Sequence, residues 1–509
     1  MLGQTIFEQP LFSTIDLNTF VPKNHFLRRL DTILDLSFIH KLAKPFYYEN
    51  RGRPSVDPVT YFRMQIIAYM YGIDSDRRLC EEVHLNMAYR WFTRIPLDIK
   101  VPDHSSMTRT RDRLGEDFFQ SVFDQILEQC QSIGLLRGER LMVDSSLFEA
   151  NASPKSLVKI DKDPDIKDQN EERDESNTKR KGTSRKNRSD KKFTKSKSTV
   201  TNSSHISKTD PNAKIVSKAG TTNNRLYYKT HHTADADSRV ITDCFVTPGN
   251  IGENTVTEDR ITMQISKYGF KIKDFIADRY YGTGALYKFL DSLNINAYIP
   301  NRRVSFNQGH GSNQGFQYIE EKDYYLCKEG HILRPYKTPV GSSGNTFRYR
   351  MLGCHCKSCP QKSTCLSGNK QIETETKVIN RNIFEDLINK TKEHSQTKDF
   401  KAHVYERFWK MEGLFAEAKN NHCLRRSKYR GKEKVQIQVT MTSIVQNLKR
   451  ILFFTERKMG ALQSSLPIAD FTTNTVHMML CKIFYKSALK FSIRLEYYYR
   501  TLRLSSHFG

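Results

Sequence analysis

RLMVDSS, residues 140–146, is where the sequence changes period. Upstream of it apolar residues recur at helical spacing, whereas Leu141, Met142 and Val143 form a short continuous run of strand type that ends in Asp144. Strand character returns in RLYYKTHHTADADSRVITDCFVT (225–247), a hairpin pattern that turns near residues 235–238. The pattern then reads helix (255–269), strand KDFIADRYYG (273–282), helix (283–294) and strand INAYIP (295–300). Asp278 ends the apolar run of the strand at 273–282 as Asp144 ends the run at 140–146.

Farther along, YERFWKMEGLFAEAK (405–419) reads as one helix. On a wheel of about 100° per residue, Leu414, Phe408, Met411, Phe415 and Ala418 share one arc that should face a core. Glu406 and Glu417 fall nearly opposite Phe408 and are expected in water. Glu412 lies on the edge of the apolar arc, and Tyr405 and Lys419 share its stripe, because a helix drifts only ~20° per heptad. For that helix alone, a solvated Glu/Lys face is the plain alternative.

The order is strand with terminal aspartate, hairpin, helix, strand with terminal aspartate, helix, strand, helix with glutamate. That is the order of an RNase H-like α/β domain, a mixed sheet flanked by helices. Ligands of open α/β sheets gather beyond the carboxyl ends of parallel strands. Each aspartate alone reads as a turn residue. With Glu412 they make a triad of hard oxygen donors suited to Mg²⁺.

The remaining segments bound the function. A formal charge of +25 over 509 residues points to a polyanionic partner, nucleic acid before an anionic membrane surface. No stretch approaches the ~20 apolar residues of a spanning helix, and MLGQTIFEQPLFSTID has no signal pattern, so a cytoplasmic, nucleoid-associated protein is expected. Residues 1–45 read as an arm and 46–135 as an all-α DNA-binding domain, with Asp57 and Asp103 as helix N-caps. In it SSMTRTRDRL (105–114) sets Arg109 and Arg111 at a helix start, as a recognition helix would, with a plain packing helix as the other reading. Residues 136–300 hold the first part of the catalytic core, interrupted at about 153–224 by a flexible basic insertion, either a DNA-touching arm or a linker. A Cys-containing insertion (301–400), the last part of the core (401–455) and a basic aromatic tail (456–509) follow. Within the insertion Cys327, Cys356, Cys359 and Cys365 could hold a structural zinc, with Cys354, His331 and His355 as alternative ligands and reduced thiols as the other reading.

The sequence resembles the DDE transposases of bacterial insertion sequences. Their signature runs Tyr, two residues, Arg, three residues, Glu, six residues, Lys; Tyr405, Glu412 and Lys419 fall on it, Phe408 takes the arginine's place, and Arg407 is one residue early, on a different face. MVDSSLFEANAS (142–153), IADRYYG (276–282, with Tyr280 for the usual glycine), CLRRSKYRG (423–431), SIVQNLKRI (443–451) and the opening at 52–72 extend the resemblance over about residues 45–455. It implies catalysis by Asp144, Asp278 and Glu412 with two Mg²⁺ (or Mn²⁺) ions: water frees a 3′-OH at the element's end, and that hydroxyl then attacks target DNA. It further implies double-stranded DNA partners, terminal inverted repeats and target, bound by a homodimer or larger assembly. Lys419 would hold a phosphate and Tyr405 a flanking nucleotide. A hydrolysis-only nuclease of the same fold and a catalytically silent DNA-binding relic are the alternatives.

Overall fold

The computed structural model describes residues 16–48, 55–160, 200–216, 225–300, 315–336, 346–351, 355–366 and 376–465. Helix starts are chemically marked. Asp57, followed by Pro58, accepts the Val59 N–H and opens α4 (Pro58–Met70); Ser75 opens α5 (Asp76–Leu85), Asn86 opens α6 (Met87–Thr93) and Asp103 opens α7 (His104–Ser132). Gly115, at φ 67°, bends α7 in a conformation that only glycine adopts without strain. Helix α4 is buried on all sides from Tyr61 to Met70 and forms the axis of this unit.

The segment read as an arm is part of that unit. Three helices, α1 (Leu17–Phe20), α2 (Phe26–Ile33) and α3 (Ile39–Ala43), bring Leu27, Leu30 and Ile39 into the same core. Asp31 of α2 ties them down through ion pairs at 2.6 Å to Arg63 and to Arg94.

In the main sheet β1 (Arg140–Glu149) lies between β5 (Arg225–Asp235), antiparallel, and β7 (Asp274–Ile276), parallel; β8 (Asn296–Tyr298) extends the parallel side. The far edge of β5 takes β6 (Ile241–Pro248), in the expected hairpin, and at its start β4 (Lys214–Val216). Strand β1 continues through Asp144 instead of ending there, because β5 pairs with it along its whole length. The insertion expected to be flexible is in part ordered at its borders: β4 joins the main sheet, and β2 (Leu157–Lys159) pairs with β3 (His205–Ser207). Its basic run at 179–198 lies outside the described residues.

Helices α8 (Thr257–Tyr268) and α9 (Gly284–Ser292) connect the strands. The cysteine-bearing region is a second, antiparallel sheet of β9 (Gln317–Ile319), β10 (Tyr324–Leu326), β11 (Ile332–Pro335), β12 (Thr346–Met351) and β13 (Val378–Asn382), with the short α10 (Lys362–Cys365). Its own small core is Tyr325, Leu333, Tyr349, Met351, Cys356 and Ile379. Helices α11 (Glu385–His394), α12 (Lys398–Asn421) and α13 (Lys432–Ser465) follow, so helix continues into what was read as the tail, and Glu456 pairs with Arg29 at 2.7 Å. Among the described residues no helix is long and apolar enough to cross a membrane.

Helix α13 packs on α7, α4, α2 and β6. Its buried face is half apolar (Val435, Val439, Ile444, Val445, Leu448) and half amide and hydroxyl. Asn447 accepts from Ile241 N–H and donates to Ile241 C=O, both at 2.8 Å; Gln436 accepts from Val246 N–H at 2.8 Å and donates to Cys244 C=O at 3.0 Å. The outer edge of β6 is thus paired by side chains at these positions, and Asn447 and Gln436 are themselves satisfied. Asn447→Leu fills similar space but orphans two buried backbone groups. It should lower stability by about 2–5 kcal/mol, read as the urea midpoint, and an unchanged midpoint would contradict this account of the edge.

Candidate active site

Met142 of β1 pairs with Ile276 of β7. Two residues on, the parallel strands bring Asp144 and Asp278 side by side where the pair opens. Asp144 accepts its neighbour's N–H (Ser145, 2.8 Å), and Asp278 accepts Tyr280 N–H at 2.7 Å. Burial pushes the Asp144 carboxyl up to about 6, and the charge of Asp278 adds to this; the Arg407 guanidinium and the Ser145 N–H oppose it. Burial also raises Asp278, with Glu253 adding to the shift and the Tyr280 N–H opposing it. Glu253, paired with Lys229 at 3.4 Å, is a further carboxylate near the site that sequence reasoning did not single out.

Helix α12 lies along β1 in the same direction. Glu406 pairs with Arg140 at 2.6 Å near the start of the strand, and Lys419 donates to Ser146 Oγ at 2.6 Å farther along. Between them Phe415 stacks on His232, ring centroids 4.9 Å apart. His232 is opposite Asp144 in the β1–β5 ladder, and burial pushes its pKa down to about 3, so it is neutral at physiological pH.

This docking corrects the expected helical phase. The inward residues are Arg407, Met411, Leu414, Phe415 and Ala418, while Phe408 is 52% exposed. Arg407, set on another face in the sequence reading, is four, seven and eleven residues before Met411, Leu414 and Ala418 and so shares their face. It points inward because Asp144 awaits it, Nη1 to Oδ2 at 2.9 Å. Nor do Glu406 and Glu417 stand in water. Glu406 is held by Arg140 and Lys410, and Glu417 by Lys449, Arg450 and His422. Tyr405 is 69% exposed. Glu412 is exposed too, and no hydrogen bond or ion pair reaches it among the described residues.

One other assignment changes. Arg111 is buried between Asp76 (2.8 Å) and Tyr429 Oη (3.0 Å), with its guanidinium over the Tyr429 ring, so it ties α7 to the segment after α12 and is closed to DNA. Arg109 is exposed beside Ser105 and Ser106. Cys327 and Cys356 pack against the second sheet's core, Cys359 and Cys365 are half-buried, and Cys354 lies outside the described residues. Among the described residues no group of three or more His, Cys, Asp or Glu side chains is gathered closely enough to hold a metal, which applies to the acids and the thiols alike.

Residues 15–113 match the family described as Transposase domain (DUF772), and residues 326–452 match the family described as Transposase DDE domain. The first covers most of the helical unit. The second covers the second sheet from the end of β10 onward, the helix carrying Glu412 and Lys419, and α13 as far as residue 452, which includes Asn447. No curated protein matches the chain. A helical unit that matches one transposase family, followed by an antiparallel sheet and helices that match another, indicates a DNA transposase; the main sheet with Asp144 and Asp278 lies between the two matched segments. This chain is a DDE-type transposase of the insertion-sequence kind, an enzyme whose domains imply DNA binding.

Glu417 supplies the first test of the corrected phase. Burial alone would raise its pKa, but hydrogen bonds from His422 and Lys449 and the charge of Arg450 overcome this and hold it far below the ordinary range. A depressed folded pKa contributes stability that is present above the unfolded value and lost as pH falls toward the folded one. Glu417→Gln should therefore cost about 1–3 kcal/mol at neutral pH, with the deficit shrinking as pH drops below the model-peptide value of 4.5. Melting curves of the two proteins from pH 7 to pH 3 measure this, and equal stability at neutral pH would return Glu417 to the solvent face.

Proposed function

We propose that the main sheet and α12 form an RNase H-like catalytic core in which Asp144, Asp278 and Glu412 hold Mg²⁺ or Mn²⁺. The enzyme would use this site to cut the ends of its element and join the freed 3′-OH to target DNA. The observation that carries the reading is the pair Asp144 and Asp278, side by side on parallel neighbours under a helix whose Lys419 reaches Ser146. Strand order β6-β5-β1-β7-β8, antiparallel on one side of β1 and parallel on the other, supports the fold assignment.

Glu412 precedes Lys419 by seven residues, so a drift of only ~20° leaves both on the stripe that follows β1. The Asp144–Asp278 pair suits a hard divalent ion: burial raises both carboxyls, and the charge of Asp278 on Asp144 and of Glu253 on Asp278 adds to this, so a cation would be welcome there. Such an ion, when bound, neutralises charge at the scissile phosphate and activates water or a 3′-OH. The chain's own residues position the reaction. Asp144 is carried by β1 and Asp278 by the segment that leaves β7, Lys419 sets a point charge beside Ser146, exposed Tyr405 offers a ring to a flanking nucleotide, and neutral His232 adds no competing charge. The helical unit, with Arg109 exposed at the start of α7, would take the DNA duplex.

Asp144→Asn, Asp278→Asn and Glu412→Gln should each lower Mg²⁺-dependent cleavage of a duplex carrying the element's ends by at least about a hundredfold while leaving duplex binding intact. The same gel assay scores strand joining, which separates a transposase from an enzyme that only hydrolyses. Full activity in Glu412→Gln would remove the third acid from the site.

We also propose that Cys327, Cys356, Cys359 and Cys365 close around a structural zinc. Three contacts support a shared neighbourhood. His331 donates its N–H to Cys327 Sγ at 3.3 Å, its ring stacks on that of His355 next to Cys356 at 4.2 Å, and Cys365 C=O accepts from buried Lys377 at 2.8 Å. The sheet's core is small enough to need such a staple. Protein purified without chelator should carry about one zinc per chain by elemental analysis, lost in the Cys356→Ser, Cys359→Ser double variant; folded, metal-free wild type would refute this.

A further inference from the structure

Arg407 is a buried arginine at the sheet whose donors are poorly satisfied, unlike those of its part-buried neighbours Arg260 and Arg140. Arg260 grips Asp243 with both Nε and Nη2, and Arg140 is shared between Asp237 (2.7 Å) and Glu406 (2.6 Å). Arg407 is only 8% exposed, yet its Nε and Nη1 make no aligned hydrogen bond among the described residues. It is held by charge, with Nη1 2.9 Å from Asp144 Oδ2. Its charge favours the ionised form of both Asp144 and Asp278. A guanidinium normally meets a carboxylate through two parallel hydrogen bonds, and a buried one without them is costly to keep. Here one nitrogen of the fork meets Asp144 off-axis, and Asp278 feels the guanidinium only as a nearby charge.

We propose that Arg407 is a resident counter-cation of the Asp144–Asp278 pair, which the divalent ion must displace and which then turns to the phosphate arriving with the DNA. The inference rests on the metal-binding reading of the two aspartates. Its consequence is a coupling between ligands. In the free protein the ion competes with a tethered positive charge, so binding is weak. With DNA present the released guanidinium gains a phosphate partner, and ion and duplex each tighten the other by the same factor. Arg407 is therefore a positioning residue: it keeps the two acids paired in the absence of substrate and restricts loading of the site to the DNA complex.

The probe is Mn²⁺, followed as free ion by electron paramagnetic resonance with no turnover required. Wild type should bind it weakly alone and roughly tenfold more tightly once a short duplex of arbitrary sequence is added. Arg407→Gln, confirmed as folded by its melting curve, should bind Mn²⁺ roughly tenfold more tightly than wild type without DNA, the size of effect one close opposite charge has on a carboxylate, and should lose most of the gain from DNA. Arg407→Lys, which keeps the charge, should stay near wild type. Unchanged or weaker Mn²⁺ binding in folded Arg407→Gln overturns the proposal. So does a wild type whose Mn²⁺ affinity ignores DNA, a measurement that stands even if Arg407→Gln does not fold. Asp144→Asn separates the two readings. If it abolishes Mn²⁺ binding while Arg407→Gln changes nothing, only the role of Arg407 falls; if Asp144→Asn binds like wild type, the metal site falls and the proposal with it.

Discussion

An edge strand must satisfy its outward N–H and C=O groups, and β6 does so on amide side chains of a single buried helix. That arrangement gives α13 its place in the molecule. Gln436 and Asn447 fix it along β6, Gln446 donates to Leu414 C=O in α12 at 2.9 Å, and Gln438 holds the segment between the two helices through Cys423 and Arg426. The opposite side of α13 packs on α7, α4 and α2. Because each amide bonds to backbone, whose direction is set by the fold, α13 has one rotation and one height relative to the sheet. The helical unit and the site helix inherit their positions from it.

The electrostatics of the site follow from that placement. Helix α12 presses Phe415 onto His232 and keeps water from the β1–β5 face, and the same exclusion raises Asp144. Carboxylates in such surroundings want a cation. Arg407 supplies one from inside the fold, Lys419 places another beside Ser146, and Lys449 and Arg450 of α13 are kept away by Glu417. Glu417 thus partitions the positive charge: without it, two cations of α13 would lack their partner on α12.

Much of the element order was legible in sequence, since periods of two and 3.6 differ over even a short window. The hairpin at β5–β6, the alternation of helices and strands to β8, and the caps at Asp57 and Asp103 are local properties, and local chemistry decides them. The helical phase of α12 was legible in principle. Arg407 repeats with Met411, Leu414 and Ala418 at a spacing of four, seven and eleven, and a charged residue in phase with apolar ones implies a buried partner of opposite sign. The sequence pattern places Met411, Leu414, Phe415 and Ala418 inward, as found; taking Phe408 in place of Arg407 misplaces one member of the arc by about 100°, one residue's rotation.

By itself the sequence determined which residues could be strands, which glutamate shares a stripe with Tyr405 and Lys419, and that two aspartates end apolar runs. It could not determine partners. Arg111 reads like a DNA contact until Asp76 and Tyr429 close over it, and Glu417 reads like a surface acid until α13 brings Lys449 and Arg450. A side chain's role depends on what low-dielectric packing places within a few ångströms of it. For Arg111, Glu417 and Arg407 those neighbours are distant in the chain, and only the tertiary structure brings them together.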